Sequence, residues 1–309
     1  MFADKPYISF ITSIKLCSGY LDFKYRIKMY IEQISRYCTI LNISYEIIIC
    51  EDIDYKNEEL MKNYFHEEYL NKHNVILLEK QQDYYNPLQH NMLEPPNKNK
   101  AILHSKGKYL CCTSGDVFMN EKFFNLLPQL SENIFYRFLS FEVKELDIDW
   151  SNVTREYIEN YVKKNTIRCF NEKVKHRQHI TDIAYKSGDI MLMDRKNWIK
   201  IRGFPQNGLF HHTDYIVCKV IKNNNIKIVV YDEPIRIYTL QHSRQEYKHN
   251  SLNKDNPDNP TDLIAFNIGK TSWKKMCEMN PYLIKYLKSQ DIDRLSWEKA
   301  CEMNNSYFC

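Results

Sequence analysis

Four short apolar runs, each continuous and not alternating with polar residues, are separated by segments with helical spacing in the first part of the chain. The runs are "YISFITSI" (7–14), "YEIIIC" (45–50), "NVILLE" (74–79) and "KYLCCT" (108–113). A strand that is apolar on both faces has to be covered on both faces, as in a mostly parallel sheet between two layers of helices. The pattern therefore predicts an α/β fold, and ligands of such sheets bind at the carboxyl ends of the strands.

Composition narrows the class of protein further. The 309 residues are 43% hydrophobic, which is enough for a large core, and the 43 basic and 39 acidic residues are mixed, which gives no support to a nucleic-acid surface. No apolar run approaches the roughly 20 residues of a membrane helix, and the N-terminus lacks a secretory pattern. Cys111 and Cys112 are adjacent in a strand-like run, so we expect free thiols in a reducing, cytoplasmic compartment.

Two predicted strands end in small polar turns. Glu51 and Asp52 follow the second run, and Ser114-Gly115-Asp116 follow the fourth. Because parallel strands end at the same edge of a sheet, these turns are candidates for one ligand site. Acidic residues at strand ends can also serve only to solvate a turn, and that alternative stays open.

The rest of the chain predicts further helices and strands and then a change of character. A helix is expected from residue 154, capped by Thr154, followed by a strand, a connecting helix, a Gly/Pro loop and a helix from about Asp214. After residue 243 the chain becomes polar, and "SWKKMCEMN" (272–280) recurs as "SWEKACEMN" (296–304). We expect a main domain over 1–243 and, over 244–309, a polar loop with a helical hairpin that packs on it or serves as an interface.

Three blocks of the sequence carry a resemblance to a known family. They are "YEIIICED" (45–52), "KNKAILHSKGKYLCCTSGD" (98–116) and "NWIKIRGFPQNGLFHHTDYIVCKVI" (197–221). Over residues 7–243 the chain resembles nucleotide-sugar glycosyltransferases of the GT-A fold, most closely the family 2 group. The resemblance implies a Rossmann-like sheet and an inverting enzyme that moves a sugar from a UDP-sugar to a hydroxyl of a glycan or protein acceptor, with Mn²⁺ or Mg²⁺ as cofactor.

The resemblance gives the second polar turn a specific role. Asp116 stands at the last acid of the family's DxD motif and would bind the metal ion, since a carboxylate is a hard oxygen ligand. Ser114 replaces the first acid, where it can still hydrogen-bond a ribose but removes one negative charge. Gly115 would allow the diphosphate to approach the backbone.

The other donor-site residues follow from the same resemblance. Glu51 would accept a hydrogen bond from uracil, with Asp52 as the second choice for this role. Four more residues, at the end of the first strand and in the family's Arg-Asn pair, would lie beside the base and the diphosphate: Thr12, Ser13, Lys98 and Asn99.

Two candidates remain for the base that deprotonates the acceptor hydroxyl. Asp214 is the first, although it could instead be only the N-cap of the following helix. His212 is the second, because the ordinary pKa of histidine suits a base near neutral pH. His242, after the last extended run, would contact the metal or the diphosphate, or is an ordinary surface residue.

The acceptor side is expected around "GF" at 203–204. Gly203, Phe204 and Trp198 would form an aromatic wall for a sugar ring. Asp189 would bond acceptor hydroxyls or only cap the strand. One alternative is an inactive relative of the same fold that binds a nucleotide-sugar or a glycan. Another is a sugar nucleotidyltransferase, but "TSIKLCSGY" is a poor match for the Gly-rich phosphate loop which that class needs.

Overall fold

A computed structural model describes most of the first 240 residues. The described residues are 5–16, 23–53, 60–81, 94–144, 153–169, 190–204, 213–231 and 234–240. The predicted C-terminal hairpin and the domain boundary at 243 lie outside them. Within the described residues, no helix is both long and apolar enough to span a membrane.

The strands form two sheets. A seven-stranded sheet has the order β10-β6-β9-β4-β1-β2-β3, and a four-stranded sheet has the order β5-β11-β7-β8. The strands of both sheets are β1 (Ile8–Ile14), β2 (Tyr45–Ile53), β3 (Val75–Gln81), β4 (Tyr109–Thr113), β5 (Val117–Met119), β6 (Ile134–Phe138), β7 (Ser140–Val143), β8 (Thr166–Cys169), β9 (Ile190–Asp194), β10 (Lys227–Tyr231) and β11 (Ile237–Leu240).

The helices connect these strands and cover the large sheet on both faces. They are α1 (Phe23–Ile40), α2 (Met61–Tyr64), α3 (Glu67–Lys72), α4 (Glu94–His104), α5 (Glu121–Leu126), α6 (Arg155–Lys164), α7 (Arg195–Lys200) and α8 (Thr213–Asn223), with a short 3₁₀ turn at Leu127–Gln129. In the large sheet only β9 runs against its neighbours, β4 and β6. The predicted α/β fold with a mostly parallel sheet is confirmed.

Alternate residues of each central strand enter two separate cores. Phe10 of β1 packs into the core that contains Tyr30 of α1, whereas Ile11 packs into the core that contains Ala101 of α4 and Trp198 of α7. We call these two sides of the sheet the α1 face and the α4 face. The alternation explains why the strands are apolar throughout, as the sequence indicated.

One edge of the sheet collects the ends of three central strands. In the parallel pairing, Thr12 lies level with Thr113, and Ile14 lies level with Glu51. We call this the carboxyl edge. Helix α4 leads back to the start of β4, and α8 leads to the start of β10, which is parallel to β6, so both helices begin at the carboxyl edge.

The opposite edge is closed by a buried polar turn. The Ser9 hydroxyl donates to Glu46 Oε1 at 2.5 Å, and the Gly107 N–H donates to Ser9 Oγ at 2.9 Å. A Cβ on Gly107 would lie 2.6 Å from the Ser9 backbone nitrogen, so this position requires glycine. The turn fixes where β4 starts relative to β1 and β2.

Two smaller expectations are also confirmed. Thr154 caps α6, since its hydroxyl oxygen accepts a hydrogen bond from the Tyr157 N–H at 3.2 Å. Cys111 and Cys112 are buried free thiols in β4. Burial raises the pKa of the Cys112 thiol to about 12, which keeps it protonated at neutral pH.

Candidate functional site

The end of β1 brings polar groups to the carboxyl edge. Thr12 and Ser13 are 0% and 5% exposed, and neither Thr12 Oγ1 nor Ser13 Oγ has a hydrogen-bond partner among the described residues. By the strand alternation, Thr12 points to the α1 face and Ser13 to the α4 face. Lys15, directly after β1, is also buried at this edge. It was not among the site residues selected from the sequence, although a lysine that directly follows an apolar strand, as in "TSIK", was a signal for a cation at the strand end.

Glu51, the first choice for uracil, already accepts a hydrogen bond from the protein backbone. Its Oε1 and Oε2 atoms lie 2.9 and 3.1 Å from the Met61 backbone nitrogen, so the carboxyl group accepts the N–H that starts α2. The side chain is 2% exposed, and this burial raises its pKa to about 7. Glu51 therefore serves to hold α2 on the α1 face of the sheet.

Asp52 lies on the other side of β2. Its neighbours in the strand alternation, Ile48 and Cys50, belong to the core on the α4 face, so Asp52 points to that face as well. It is 5% exposed and takes part in at least one polar or electrostatic interaction. Asp52 therefore shares a face with Ser13 and α4, and Glu51 does not.

The turn between β4 and β5 contains the proposed metal ligand. Asp116 is 9% exposed, between Thr113 at the end of β4 and Val117 at the start of β5. A Cβ on Gly115 would lie 2.5 Å from Ile27 Cδ1, so packing against α1 already accounts for glycine at this position. Ser114, the substituted acid, is half-buried next to it.

The start of β5 is anchored by a side chain of α1. Gln33 Nε2 donates to the Val117 carbonyl at 2.9 Å, and the Met119 N–H donates to Gln33 Oε1 at 3.0 Å. These two bonds fix the backbone that immediately follows Asp116. Arg26 of the same helix donates to the Leu240 carbonyl at 3.3 Å, so α1 also holds the end of β11.

Helix α4 presents Asn97, Lys98 and Asn99 near its beginning, and all three are buried. Lys98 forms an ion pair with Glu94 of the preceding turn, and its Nζ lies 5.3 Å from the centre of the Phe204 ring. The amide of Asn97 has no hydrogen-bond partner at either Oδ1 or Nδ2. Sequence reasoning missed Asn97, because no motif position singles it out.

Asn99 hydrogen-bonds the turn at 203–204, and this contact explains why glycine followed by phenylalanine stands there. Its Nδ2 donates to the Phe204 carbonyl at 2.8 Å, and its Oδ1 accepts from the Phe204 N–H at 2.7 Å. Gly203 has φ of +66°, and a Cβ there would lie 2.1 Å from Asn99 Oδ1. Asn99 thus positions the 203–204 turn through both ends of its amide.

The predicted aromatic wall needs a correction. Trp198 is 0% exposed, its ring stacks on Phe204 with centroids 5.1 Å apart, and its Nε1–H donates to the Leu110 carbonyl at 3.2 Å. Phe204 is itself 3% exposed. Trp198 is therefore a core residue in this structure and has no exposed face for a sugar ring, because it fills the space between the sheet and α7.

Asp214 lies at the carboxyl edge. Helix α8 begins at Thr213, so Asp214 stands inside the first turn of the helix, and the alternative that it is the N-cap is wrong. The side chain is half-buried.

Three predicted site residues lie outside the described residues: Asp189, His212 and His242. Among the described residues, no group of three or more His, Cys, Asp and Glu side chains is arranged to hold a metal ion. By their positions in the elements, Asp52, Asp116 and Asp214 each lie at the end of a strand or the start of a helix at the carboxyl edge.

Comparison by sequence gives no match, either to a protein-family model or to a curated protein. Comparison by structure does find similar folds. GalNAc-T7, solved with UDP, GalNAc and Mn²⁺, has a TM-score of 0.53 at 10% identity over 99% of this chain, and this chain spans 55% of its length. S. aureus TarS 1-349 in complex with UDP-GlcNAc has a TM-score of 0.49 at 12% identity, covering 98% of this chain and 81% of that solved chain. The likeness to GalNAc-T7, together with the sheet order and covering helices, shows that the described residues have the GT-A fold.

Proposed function

We propose that this protein is an inverting glycosyltransferase that moves a sugar from a UDP-sugar to a hydroxyl of a glycan or protein acceptor. The observation that carries the proposal is the meeting of β1, β2, β4, α4 and α8 at one edge of the sheet. This edge is the ligand site of open α/β sheets. Asp52, Asp116, Lys98 and Asp214 are the candidates there for the groups that the reaction requires.

The donor site lies on the α4 face of this edge. Asp52 is the carboxylate there that can accept the N–H of a uracil ring, and Ser13 supplies a hydroxyl beside it. Lys98 provides positive charge near the beginning of α4, although part of that charge is offset by Glu94. The solved GalNAc-T7 fold was determined with UDP, which supports a uridine nucleotide as donor.

A divalent cation fits this site only in part. Asp116 offers one carboxylate, and the described residues supply no complete set of ligands, so most ligands would come from the diphosphate and water. When bound, the ion offsets the negative charge that develops on the leaving diphosphate. GalNAc-T7 was solved with Mn²⁺, which supports manganese as the first ion to test.

Asp214 is the proposed base. It removes the proton of the acceptor hydroxyl while the oxygen forms a bond to the anomeric carbon of the donor sugar. The bond from that carbon to the diphosphate breaks on the opposite side, and its electron pair stays with UDP. Attack opposite to the leaving group inverts the configuration at the anomeric carbon. His212 remains the second candidate for this role.

The test of the proposal is a thermal-shift screen of the purified protein against UDP-sugars and GDP-sugars, with and without Mn²⁺. A ligand that binds only the folded state raises the unfolding temperature. We expect stabilisation by UDP-sugars, larger with Mn²⁺, and none by GDP-sugars. Stabilisation by neither class would exclude the proposed donor.

A second candidate is a nucleotide-sugar-binding protein of the same fold without transferase activity. The observation that favours it is Ser114, a neutral residue at the position where the family's motif has its first acid. The protein would be tested with Mn²⁺, a panel of UDP-sugars and a panel of sugar acceptors. If it binds UDP but releases no UDP from any UDP-sugar, this candidate is favoured over the transferase.

A further inference from the structure

The amide of Asn97 is buried and makes no hydrogen bond to the part of the chain that the structure describes, which is costly. The residue is 1% exposed, and neither Oδ1 nor Nδ2 has a partner. A buried polar group without a partner destabilises a fold, so native structures rarely keep one without another reason. The residue is therefore a candidate for a ligand contact.

The position of Asn97 agrees with such a contact. It lies in the first turn of α4, one turn before Ala101, which packs on the α4 face of the sheet. Since α4 packs on β1 and β2 and begins at the carboxyl edge, Asn97 is on the same face and edge as Ser13 and Asp52. Ser13 Oγ, 5% exposed, is also without a partner.

The chemistry of this end of α4 favours a base over a phosphate. Phosphate sites at helix N-termini use backbone N–H groups, but Pro95 and Pro96 occupy the first turn and have none. The Asn97 side chain offers a donor and an acceptor, whereas phosphate oxygens only accept. The imide edge of uracil has a carbonyl oxygen on each side of its N–H, so Asn97 Nδ2 can donate to one of these oxygens while Asp52 accepts the N–H.

We infer that Asn97 hydrogen-bonds the edge of the nucleobase of the donor, with the Ser13 hydroxyl beside it. The inference rests on the proposed function and adds to it a residue that determines which nucleotide binds. Both groups are covered in the ligand-free chain, so binding requires a rotation of the amide. The penalty for the unpaired amide is then recovered in the complex.

The test is isothermal titration of wild type and Asn97→Leu with three probes: UDP, UMP and inorganic pyrophosphate, each with Mn²⁺. We expect affinity for UDP and for UMP to fall by the same factor, about tenfold or more, while pyrophosphate binds equally well to both proteins. The unfolding temperature of ligand-free Asn97→Leu should equal or exceed that of wild type, because the substitution removes an unpaired polar group.

Asn224→Leu is the matched control. Asn224 is 7% exposed with an unpartnered Oδ1, but it follows the C-terminal end of α8, away from the carboxyl edge. The Asn224→Leu variant should bind UDP with the same affinity as wild type. If Asn97→Leu does not fold, Asn97→Asp, which keeps the size and removes the donor, should show the same loss for UDP and UMP.

Two results would overturn the inference. One is unchanged UDP affinity in the Asn97 variants, and the other is a loss for pyrophosphate as large as the loss for UDP. Both leave the proposed function intact if wild type binds UDP. Wild type that binds neither UDP nor UMP would instead contradict the proposed function itself.

Discussion

Glu51 and Asp52 are adjacent acids, and the alternation of the β2 strand gives them different tasks. Glu51 points to the α1 face and accepts the N–H of Met61, while Asp52 points to the face on which α4 packs. The sequence indicates two acids at a strand end but not which of them faces the ligand. That distinction depends on which helices cover each face, and a contact such as Glu51 with α2 is not encoded in a local pattern.

The first prediction separates these two acids by UDP affinity. Asp52→Asn should weaken UDP binding by about tenfold, because an amide is a poorer acceptor for a ring N–H than a carboxylate. Glu51→Gln should weaken UDP binding by less than about threefold, since the Glu51 side chain already accepts the Met61 N–H. Titration calorimetry of both variants measures the difference, and equal losses would refute the assignment of Asp52.

The second prediction concerns the pKa of Glu51, which burial raises to about 7. Between about pH 4.5 and pH 7 the unfolded chain releases this proton before the folded protein does, so the free energy of unfolding should fall as pH rises through this range. Glu51→Gln keeps an acceptor for Met61 and removes the titration. By pH 8, the variant should gain about 3 kcal/mol relative to wild type, compared with their difference at pH 4.

Urea denaturation of both proteins at several pH values measures this difference, and the other titrating groups cancel in the comparison. Parallel stability profiles for wild type and Glu51→Gln would show that the carboxyl group titrates at its ordinary pKa in the folded protein.

At the scale of elements, helix α1 does more than cover the sheet. Gln33 fixes both ends of β5, and Arg26 holds the end of β11, so one helix positions the strand that follows Asp116 and the strand paired with it. The helical spacing of α1 was readable from the sequence. The role of its buried polar residues was not, because their partners lie far along the chain.

The third prediction tests this anchor. Gln33→Leu leaves the Val117 carbonyl and the Met119 N–H buried without that partner, and should lower the free energy of unfolding by about 2 kcal/mol or more. Arg36→Ala on the same helix removes an exposed ion pair with Glu156 and should cost under about 1 kcal/mol. Chemical denaturation measures both values, and equal losses would contradict the role of Gln33.

The fourth prediction concerns the turn between α4 and β4. Gly107→Ala places a Cβ 2.6 Å from the Ser9 backbone nitrogen, which cannot move without displacing β1, so we expect a loss of about 2–4 kcal/mol. Gly115→Ala meets the flexible end of Ile27 and should cost less. A larger loss for Gly115→Ala than for Gly107→Ala in urea denaturation would contradict this account.

At the scale of the whole molecule, the sequence predicted the architecture better than the site. Continuous apolar strands alternating with helices were sufficient for a mostly parallel sheet, because few other folds cover both faces of a strand. The antiparallel β9, the second sheet and the burial of Trp198 were not predicted. These features depend on contacts between distant parts of the chain, whereas the periodicity of a segment reports only its local conformation.

The central claim is that the carboxyl edge transfers a sugar from a UDP-sugar, and release of UDP measures it most directly. The purified protein is incubated with a panel of UDP-sugars and sugar acceptors with Mn²⁺, and UDP is quantified. We expect release from at least one donor, reduced by about 100-fold or more in Asp214→Asn, while UDP affinity is retained. UDP release that is unchanged in Asp214→Asn would eliminate this residue as the base, and no release from any donor by wild type would contradict the account.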